Sequence, residues 1–307
     1  MKINILKCHG SGNDFILIDE YHKILFSEEE RKTLSNLLCD RNGILGADGI
    51  LFFQNSDKAD GTMRMFNPDG SEAEMCGNGL RCIGRFACES LDKHSVSIET
   101  LKGVSQVETD QNIHPDVATY KAELSTISLN RDCINQVLPA LSSVLKFTEV
   151  HMPNPHIVAI VDQISDTELE AIGEKANQVP ELFPNGTNIN FCQILDGNAI
   201  FVRTYERGVG LTNSCGSGMS ASSLVYCLLE HSPFGNTIDV YNRGGLVRCQ
   251  ATNEDGYSVY LSGNATFMFK SSINLSNDIT HYFGELFVDE LQNYGKLLEM
   301  SKMSKPL

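Results

Sequence analysis

Two cysteines in this 307-residue chain begin similar glycine-rich segments that could carry out acid–base chemistry. Cys76 opens Cys-Gly-Asn-Gly and Cys215 opens Cys-Gly-Ser-Gly, and each segment leads into a helical pattern. A helix N-terminus favours the thiolate and lowers a cysteine pKa from its usual value of about 8.5. The glycines also let backbone N–H groups close around an anion. One thiolate and one thiol could therefore remove a proton from a carbon and return it.

The segments that contain these cysteines form an internal repeat. TMRMFNPDGSEAEMCGNGLRC and FVRTYERGVGLTNSCGSGMSA each read as a strand, a turn and a helix start. Phe66 precedes Cys76 by the same number of residues as Tyr205 precedes Cys215. A single Cys-Gly-x-Gly would be an ordinary glycine-rich helix start, but the matched spacing favours a shared site.

A second pair of residues supports the repeat. Asn13 and Asn154 each stand just before a strand and precede the cysteine of their half at similar distances. The repeat predicts two domains of one fold, related by a pseudo-two-fold axis, with equivalent loops meeting in an interdomain cleft. Two cysteines placed in this way suit inversion of an amino-acid α-carbon, since one can act on each face and the glycine loops can hold the carboxylate.

Hydrophobic periodicity predicts an α+β fold with mostly antiparallel sheet around a central helix in each domain. Helical patterns cover 28–39, 79–91, 166–177 and 217–230. We predict an N-terminal domain at 1–116, completed by part of the segment after about 265, and a C-terminal domain at 117–264. The tail at 270–307 is predicted to be helical because Phe287, Leu291, Tyr294 and Leu298 are spaced along one helix face.

Composition excludes several classes of protein. The net charge of −15 argues against nucleic acid and anionic membrane surfaces as partners. No apolar run is long enough to span a membrane and no signal peptide is evident, so we expect a cytoplasmic protein. The ten cysteines should be mostly buried thiols, and their spacing predicts neither structural zinc nor a disulfide scaffold. The sequence contains no nucleotide-binding loop and predicts no cofactor.

Two further polar residues follow from the repeat. His156 lies two residues after Asn154, and Glu206 follows the strand-end Tyr205. Either could tune the thiols or bind a substrate amino group. A lone histidine is more often structural, and only its place in the repeat favours a role for His156.

The segment NPDGSEAEMCGNGLR at 67–81 resembles the signature of the diaminopimelate epimerase family. GSGNDF, RNGILGADG, MPNPH, PNGTNINF and YERGVG…CGSG resemble other blocks of that family in the same order, and the resemblance covers about residues 1–269. It implies interconversion of LL- and meso-diaminopimelate in lysine and peptidoglycan precursor biosynthesis. It also implies a two-cysteine mechanism without pyridoxal phosphate or metal, and a homodimer.

The same resemblance assigns roles to residues that match the family motifs. Cys76 and Cys215 correspond to the acid–base pair, with His156 and Glu206 as supporting polar groups. Arg207 would bind the distal carboxylate, because its planar guanidinium can hold one bidentately. The reacting carboxylate would be held by Gly77, Asn78, Gly216 and Ser217. The remaining substrate contacts would come from Asn13, Asn67, Asn154 and Asn188.

Some positions depart from the family pattern and leave alternatives open. Leu211 stands where an acidic residue is common, Met219-Ser220 replaces a small pair, and the tail after about residue 270 is longer than usual. One alternative is a related racemase or epimerase that acts on another amino acid. The others are a redox protein that uses a regulatory disulfide between Cys76 and Cys215, and a binding module that has lost catalysis.

Overall fold

The structure is a computed structural model that describes residues 1–152, 154–275 and 280–303. Pro153 of the MPNPH motif, and residues 276–279 and 304–307 of the tail, lie outside the described residues. The chain forms two compact units. Unit 1 contains Met1–Ala122 and Ser262–Leu297, and unit 2 contains Glu123–Leu261 and the chain from Leu298 onward. The domain boundaries at 116 and 264 stay a sequence-based prediction.

The elements alternate between strands and a few helices along the chain. The helices are α1 (Glu28–Cys39), α2 (Gly77–Leu91), α3 (Asp166–Ala176), α4 (Gly216–Leu228) and α5 (Val288–Met303), with a 3-10 turn at Arg131–Cys133. The first ten strands are β1 (Lys2–Gly10), β2 (Asn13–Glu20), β3 (Gly49–Gln54), β4 (Gly61–Phe66), β5 (Glu72–Ala73), β6 (Ser95–Thr100), β7 (Gly103–Thr109), β8 (Thr119–Leu129), β9 (Gln136–Val137) and β10 (Lys146–Met152). The others are β11 (Asn154–Val161), β12 (Asn188–Leu195), β13 (Ala199–Glu206), β14 (Gly210–Thr212), β15 (Thr237–Asn242), β16 (Gly245–Thr252), β17 (Tyr257–Asn264), β18 (Thr266–Asn274) and β19 (Thr280–Leu286).

The two units repeat one pattern of strand pairing. In unit 1, β1 pairs antiparallel with β2, β2 parallel with β3, β3 antiparallel with β4, β4 parallel with β6, and β6 antiparallel with β7. In unit 2, β10, β11, β12, β13, β15 and β16 pair in the same order and with the same orientations. The internal repeat of the sequence is therefore a repeat of structure, and the α+β fold with mostly antiparallel pairing is as predicted.

One helix lies at the centre of each unit. α2 packs against β1, β2, β3, β4, β6 and β7, and its apolar side chains join the main core of unit 1. α4 packs against β10, β11, β12, β13, β15 and β16 and is buried along nearly its whole length. A helix enclosed in this way is fixed by packing on all sides, so its N-terminus is held rigidly. Each central helix begins immediately after one of the two cysteines.

The peripheral helix α1 shows how local sequence sets an element boundary. Ser27 is the N-cap, its hydroxyl accepts from the backbone N–H of Glu30, and the Glu30 carboxylate accepts from the N–H of Ser27. This reciprocal pair is a capping box, which satisfies two backbone donors at the helix start. The helix then covers 28–39, the range predicted from its periodicity.

The C-terminal tail is only partly helical. The first residues of the predicted tail, up to Asn274, are the end of β18. The next strand, β19, pairs antiparallel with β18, and α5 begins after it. The prediction of a helical tail holds for α5 and is wrong for these strands. Residues 280–286 form a strand because β18 offers an edge for main-chain hydrogen bonds, which the sequence periodicity alone does not reveal. Within the described ranges, no helix is both long and apolar enough to cross a membrane.

Candidate active site

Cys76 occupies the N-cap position of α2. Its backbone is extended, at φ −144° and ψ 112°, and its sulfur accepts a hydrogen bond from the backbone N–H of Gly79 at 3.4 Å. Gly77 and Asn78 form the buried first turn of the helix. The sulfur lies 3.8 Å from Oδ1 of Asn13, which also accepts from the Asn78 amide at 3.4 Å. The thiol is half-buried beside backbone N–H groups that favour an anion.

The orientation of the Asn13 amide is set by Asp48. Nδ2 of Asn13 donates to Oδ2 of Asp48 at 2.7 Å, so Oδ1 of Asn13 is the atom that faces Cys76. The second oxygen of Asp48 accepts from Arg41 at 2.6 Å, and Arg41 also pairs with Asp14. This network explains the RNGILGADG motif, whose role the sequence did not show. The motif provides the carboxylate of Asp48, which orients the amide of Asn13, a candidate substrate contact.

Asn67 lies in a tight turn directly after β4. Its backbone N–H donates to the Ser71 carbonyl at 2.8 Å, and its amide donates to the Ser71 hydroxyl at 3.0 Å. Gly70 closes the turn at φ +82°, a conformation that other residues rarely adopt. The NPDGS motif is therefore a turn that holds Asn67 half-buried at the end of β4.

Arg81 is a buried cation on α2 that the sequence analysis did not single out. Its guanidinium donates to Oδ1 of Asn78 at 3.0 Å, to the Ser11 hydroxyl at 3.0 Å and to the Asn264 carbonyl at 3.3 Å. The side chain is fully buried. These contacts tie the first turn of α2 to the β1–β2 turn, and they place a positive charge next to the candidate carboxylate-binding loop.

Cys215 occupies the matching N-cap position of α4. Its backbone is extended, at φ −119° and ψ 109°, and the residue is 6% exposed. Its sulfur lies 3.5 Å from the hydroxyl of Ser217, which with Gly216 forms the first turn of the helix. Met219 follows in the buried part of α4. Both central helices therefore start with a cysteine N-cap, but the sulfur of Cys76 accepts a hydrogen bond from a backbone N–H of its helix whereas that of Cys215 makes no such cap bond.

His156 is fully buried next to the first turn of α4. Its Nε2 lies 3.0 Å from the Ser217 hydroxyl, 3.1 Å from Oδ1 of Asn154 and 3.3 Å from Nδ2 of Asn188. Its Nδ1 lies 3.0 Å from Nδ2 of Asn190. Burial lowers the pKa of His156 to about 3, so the imidazole is neutral. It can donate or accept hydrogen bonds but carries no charge to stabilise a thiolate.

Glu206 and Arg207 lie at the end of β13. The Glu206 carboxylate is half-buried and accepts from the hydroxyl of Thr212 on β14 at 2.7 Å. Arg207 is exposed, and its backbone N–H donates to Oδ1 of Asn188 at 2.9 Å. Its guanidinium donates to the carbonyl of Asn185. Unit 2 therefore brings Cys215, Ser217, His156, Asn154, Asn188 and Arg207 into one connected neighbourhood.

The ten cysteines are free, and nine are buried. Burial raises the pKa of Cys39, Cys88 and Cys227 to about 11, so these thiols stay protonated near neutral pH.

Leu211, where the family pattern often has an acid, instead packs on the core of unit 2. In the part of the chain that the structure describes, no cluster of three or more His, Cys, Asp or Glu side chains could hold a metal ion.

Stability is expected to fall on acidification because two histidines are buried. Burial lowers the pKa of His156 to about 3 and that of His9 to about 4, whereas both titrate near 6.5 in the unfolded chain. The unfolded state therefore binds more protons below pH 6.5, and the free energy of unfolding decreases as the pH falls toward 4. We expect a loss on the order of 1–2 kcal/mol per histidine between pH 7 and 5. Urea denaturation across this range measures it, and the His9→Gln variant should show a shallower dependence.

Comparisons with known proteins agree with this geometry. The diaminopimelate epimerase family model matches residues 5–126 and 148–268, which include both cysteines. The diaminopimelate epimerase of Clostridium acetobutylicum is 43% identical over 98% of this chain and 96% of its own length. That of Listeria monocytogenes is 39% identical over 90% of each chain. The tail after about residue 270 lies largely within the match to the first relative, which covers 98% of this chain.

Solved structures share the fold at low identity. A PhzF-family phenazine biosynthesis protein from Bacillus anthracis superposes with a TM-score of 0.68 at 17% identity, covering 90% of this chain and 100% of that protein. This likeness supports the fold alone. The family model goes further, since the residues that it matches include both cysteines, and the relatives are similar over nearly the whole chain. The chain belongs to the diaminopimelate epimerase family.

Proposed function

We propose that the protein interconverts LL-2,6-diaminopimelate and meso-diaminopimelate by moving a proton on and off one α-carbon. The observation that carries this proposal is the pair of cysteines at equivalent N-caps, each followed by a glycine-rich first turn. The relatives that are similar to this chain over nearly their whole length are named for this activity. The reaction belongs to lysine and peptidoglycan precursor biosynthesis.

In this mechanism Cys76 and Cys215 act on opposite faces of the α-carbon. One sulfur, as a thiolate, takes the α-proton and becomes a thiol, and the electron pair of the broken C–H bond stays on the substrate. The other thiol then donates its proton to that carbon from the opposite side and becomes the thiolate. The two roles exchange in the reverse reaction, which accounts for the near-symmetry of the two halves.

The substrate carboxylate is stabilised by the first turns of the two central helices. Gly77 and Asn78 in unit 1, and Gly216 and Ser217 in unit 2, present backbone N–H groups at helix N-termini. As the α-proton leaves, negative charge develops on this carboxylate, and the donors stabilise it where it forms. We infer that Glu206 binds an ammonium group of the substrate and that the remaining polar contacts come from Asn13, Asn67, Asn154 and Asn188.

A substrate with two amino-acid ends needs a second recognition group, and Arg207 is the candidate. Its backbone is held by Asn188 while its guanidinium stays exposed at the end of β13. We infer that it binds the distal carboxylate. This distinguishes diaminopimelate from single-ended amino acids, on which a related racemase would act.

The proposed activity is tested by incubating the reduced protein with LL-diaminopimelate and separating the stereoisomers by chiral chromatography. Parallel reactions contain L-glutamate, L-lysine and L-proline. The expected result is that meso-diaminopimelate forms far faster than any of the other amino acids is inverted. Inversion of another amino acid instead would retain the two-cysteine mechanism and replace the substrate. Activity that appears only after oxidation would support the redox alternative.

The Asp48→Asn variant is expected to lose about 10-fold in kcat/KM. Asparagine retains the size of the side chain but can present its own NH2 group to Asn13, so the amide that faces Cys76 is no longer fixed in orientation. Loss of one hydrogen bond to a charged group costs about 1.5–3 kcal/mol. Steady-state kinetics measure the effect, and Asp57→Asn, which removes an exposed carboxylate of the same unit, is the matched control. Equal kinetics in the two variants would contradict the proposed role of Asp48.

We also propose that the enzyme is a homodimer of the cytoplasm and works without pyridoxal phosphate or metal. The family resemblance supports these points, and two measurements test them. Light scattering gives the mass in solution, with twice the chain mass of 33.9 kDa expected. Activity that survives dialysis against a chelator and shows no carbonyl-reagent sensitivity would agree with a cofactor-free reaction, and loss under either treatment would contradict it.

A further inference from the structure

Three buried polar side chains lie together under the first turn of α4. His156 on β11, Asn190 on β12 and Thr204 on β13 are each at most 3% exposed. Asn190 contacts both others, with Nδ2 at 3.0 Å from Nδ1 of His156 and Oδ1 accepting from the Thr204 hydroxyl at 2.9 Å. Polar groups are costly to bury, so a buried cluster of this kind calls for a reason.

The fold itself does not require this polar cluster. Strand pairing shows which positions of unit 1 are equivalent, since β2, β3 and β4 repeat β11, β12 and β13. In unit 2, His156 pairs with Asn188, and Asn190 pairs with Thr204. In unit 1, the corresponding pairs are Phe15 with Gly49 and Leu51 with Met65. The three positions under Cys76 are thus apolar and belong to the core of unit 1: Phe15, Leu51 and Met65. The same architecture is built without polar groups there.

The orientation of the Asn190 amide is fixed by its other contacts. Nδ2 donates to the backbone carbonyl of Ile157 at 3.1 Å, and Oδ1 accepts from Thr204. Gly218 of α4 packs directly above, since a Cβ at that glycine would lie 2.3 Å from Oδ1. A reversed amide would bring its oxygen against the Ile157 carbonyl. The donor group of Asn190 therefore faces Nδ1 of His156.

This contact selects one tautomer of the neutral histidine. If Nδ1 accepts from Asn190, the single ring proton is on Nε2. Nε2 then has two oxygens to donate to, in Ser217 at 3.0 Å and Asn154 at 3.1 Å, while the contact with Nδ2 of Asn188 is longer at 3.3 Å. The Nε2–H tautomer leaves one contact between donors, with Nδ2 of Asn188 at 3.3 Å. The other tautomer would leave a shorter one, with Nδ2 of Asn190 at 3.0 Å, and would also set the lone pair of Nε2 against Oδ1 of Asn154 at 3.1 Å.

We propose that Asn190 is a positioning residue for the proposed reaction, because it fixes His156 in the Nε2–H tautomer and so directs a chain of hydrogen bonds through Ser217 to the sulfur of Cys215. The inference rests on the proposed function. The Ser217 hydroxyl accepts from Nε2–H, which leaves its own proton to donate to Sγ of Cys215 at 3.5 Å. A donor aimed at the sulfur stabilises the thiolate more than the thiol.

The chain also distinguishes the two cysteines. Cys76 faces the backbone N–H of Gly79, which donates to the sulfur, and the carbonyl oxygen of Asn13, which accepts from a thiol. Cys215 faces a hydroxyl that accepts from His156 and has its own proton to donate to the sulfur. The polar cluster therefore tunes one of the two acid–base groups, and this difference gives the pseudo-symmetric enzyme two chemically distinct faces.

The test uses the full-length protein with Asn190→Ala and Asn190→Leu, the second of which copies the residue at the equivalent position of unit 1. Cys192→Ala, also buried on β12, is the matched control for packing. ¹⁵N NMR of the histidines reports the tautomer of His156. Alkylation of Cys215 by iodoacetamide, followed by peptide mass spectrometry across a pH series, reports its ionisation. Cys76 in the same samples is the internal reference.

In both Asn190 variants we expect His156 to lose its uniform Nε2–H tautomer and alkylation of Cys215 to shift to higher pH, while Cys76 is unchanged. We expect kcat to fall about 10- to 100-fold with little change in KM. His156 that stays entirely Nε2–H, or an unshifted Cys215 profile, would overturn the proposal. The NMR and alkylation measurements need no substrate. Wild-type protein that fails to invert diaminopimelate would instead overturn the proposed function.

Discussion

Replacing either Cys76 or Cys215 by serine is expected to lower kcat for inversion of diaminopimelate by about 10²- to 10⁴-fold, the contribution of a positioned acid or base. A serine hydroxyl is a far weaker acid than a thiol, so the variant lacks either the base or the acid in each direction. KM should change little because serine retains the size of the site. Steady-state kinetics in both reaction directions measure the loss.

The chain provides its own controls for the cysteine variants. Cys88 and Cys227 lie on the same two helices, twelve residues after Cys76 and Cys215. Burial raises the pKa of both to about 11, so neither is a candidate acid–base group. Cys88→Ala and Cys227→Ala should keep full kcat. A serine variant at Cys76 or Cys215 that inverts substrate as fast as these controls would contradict the two-cysteine mechanism.

Removing the guanidinium of Arg207 is expected to cause the second large effect. In Arg207→Ala, kcat/KM for diaminopimelate should fall by about 10²-fold or more, because two hydrogen bonds to a carboxylate are lost. Arg207→Lys should recover part of this loss, since lysine supplies charge without the bidentate geometry. Kinetics with diaminopimelate measure the effect.

The Arg207 variants also test which substrate the site recognises. If the guanidinium binds the distal carboxylate, the loss should be confined to substrates that have one. Slow exchange of the α-proton of a single-ended amino acid, such as L-lysine, should be the same in wild type and Arg207→Ala. An equal loss for both kinds of substrate would place Arg207 at the reacting carboxylate instead.

Elements determined by local sequence were well predicted. The capping box at Ser27 and the periodicity after it gave the bounds of α1, and the predicted 166–177 corresponds to α3. The central helices begin one or two residues earlier than predicted, because Cys76 and Cys215 are themselves the N-caps. β19 could not be predicted, since its strand conformation depends on pairing with β18.

The sequence repeat located the cysteines and both asparagines, but it did not reveal what lies beneath them. Asp48 reaches Asn13 across 35 residues and Asn190 reaches His156 across 34, in both cases through a parallel pair of neighbouring strands. Such contacts depend on strand register, which local patterns do not specify. One signal was available: Asn188 and Asn190 alternate in a strand that is otherwise largely apolar, which indicates polar groups on the face toward α4.

The repeat also concealed a difference between its halves. Phe15 stands where unit 2 has His156, and Leu51 stands where it has Asn190. Matching the halves by their shared residues emphasises what both need, namely a thiol, an asparagine and a glycine-rich helix start. The positions that differ are the ones that make the environments of the two thiols unequal. Strand register is needed to identify them.

The central claim, that two groups act on opposite faces of the α-carbon, is tested most directly by the reaction of wild-type enzyme in D2O under reductant. LL-diaminopimelate is incubated to low conversion, and substrate and product are separated and analysed for deuterium by mass spectrometry. The account predicts one deuterium in the meso product at the inverted carbon and almost none in recovered LL substrate, because the base that removes the proton differs from the acid that returns one. Deuterium that enters recovered substrate as fast as product would show that one group serves both faces, and it would contradict the account.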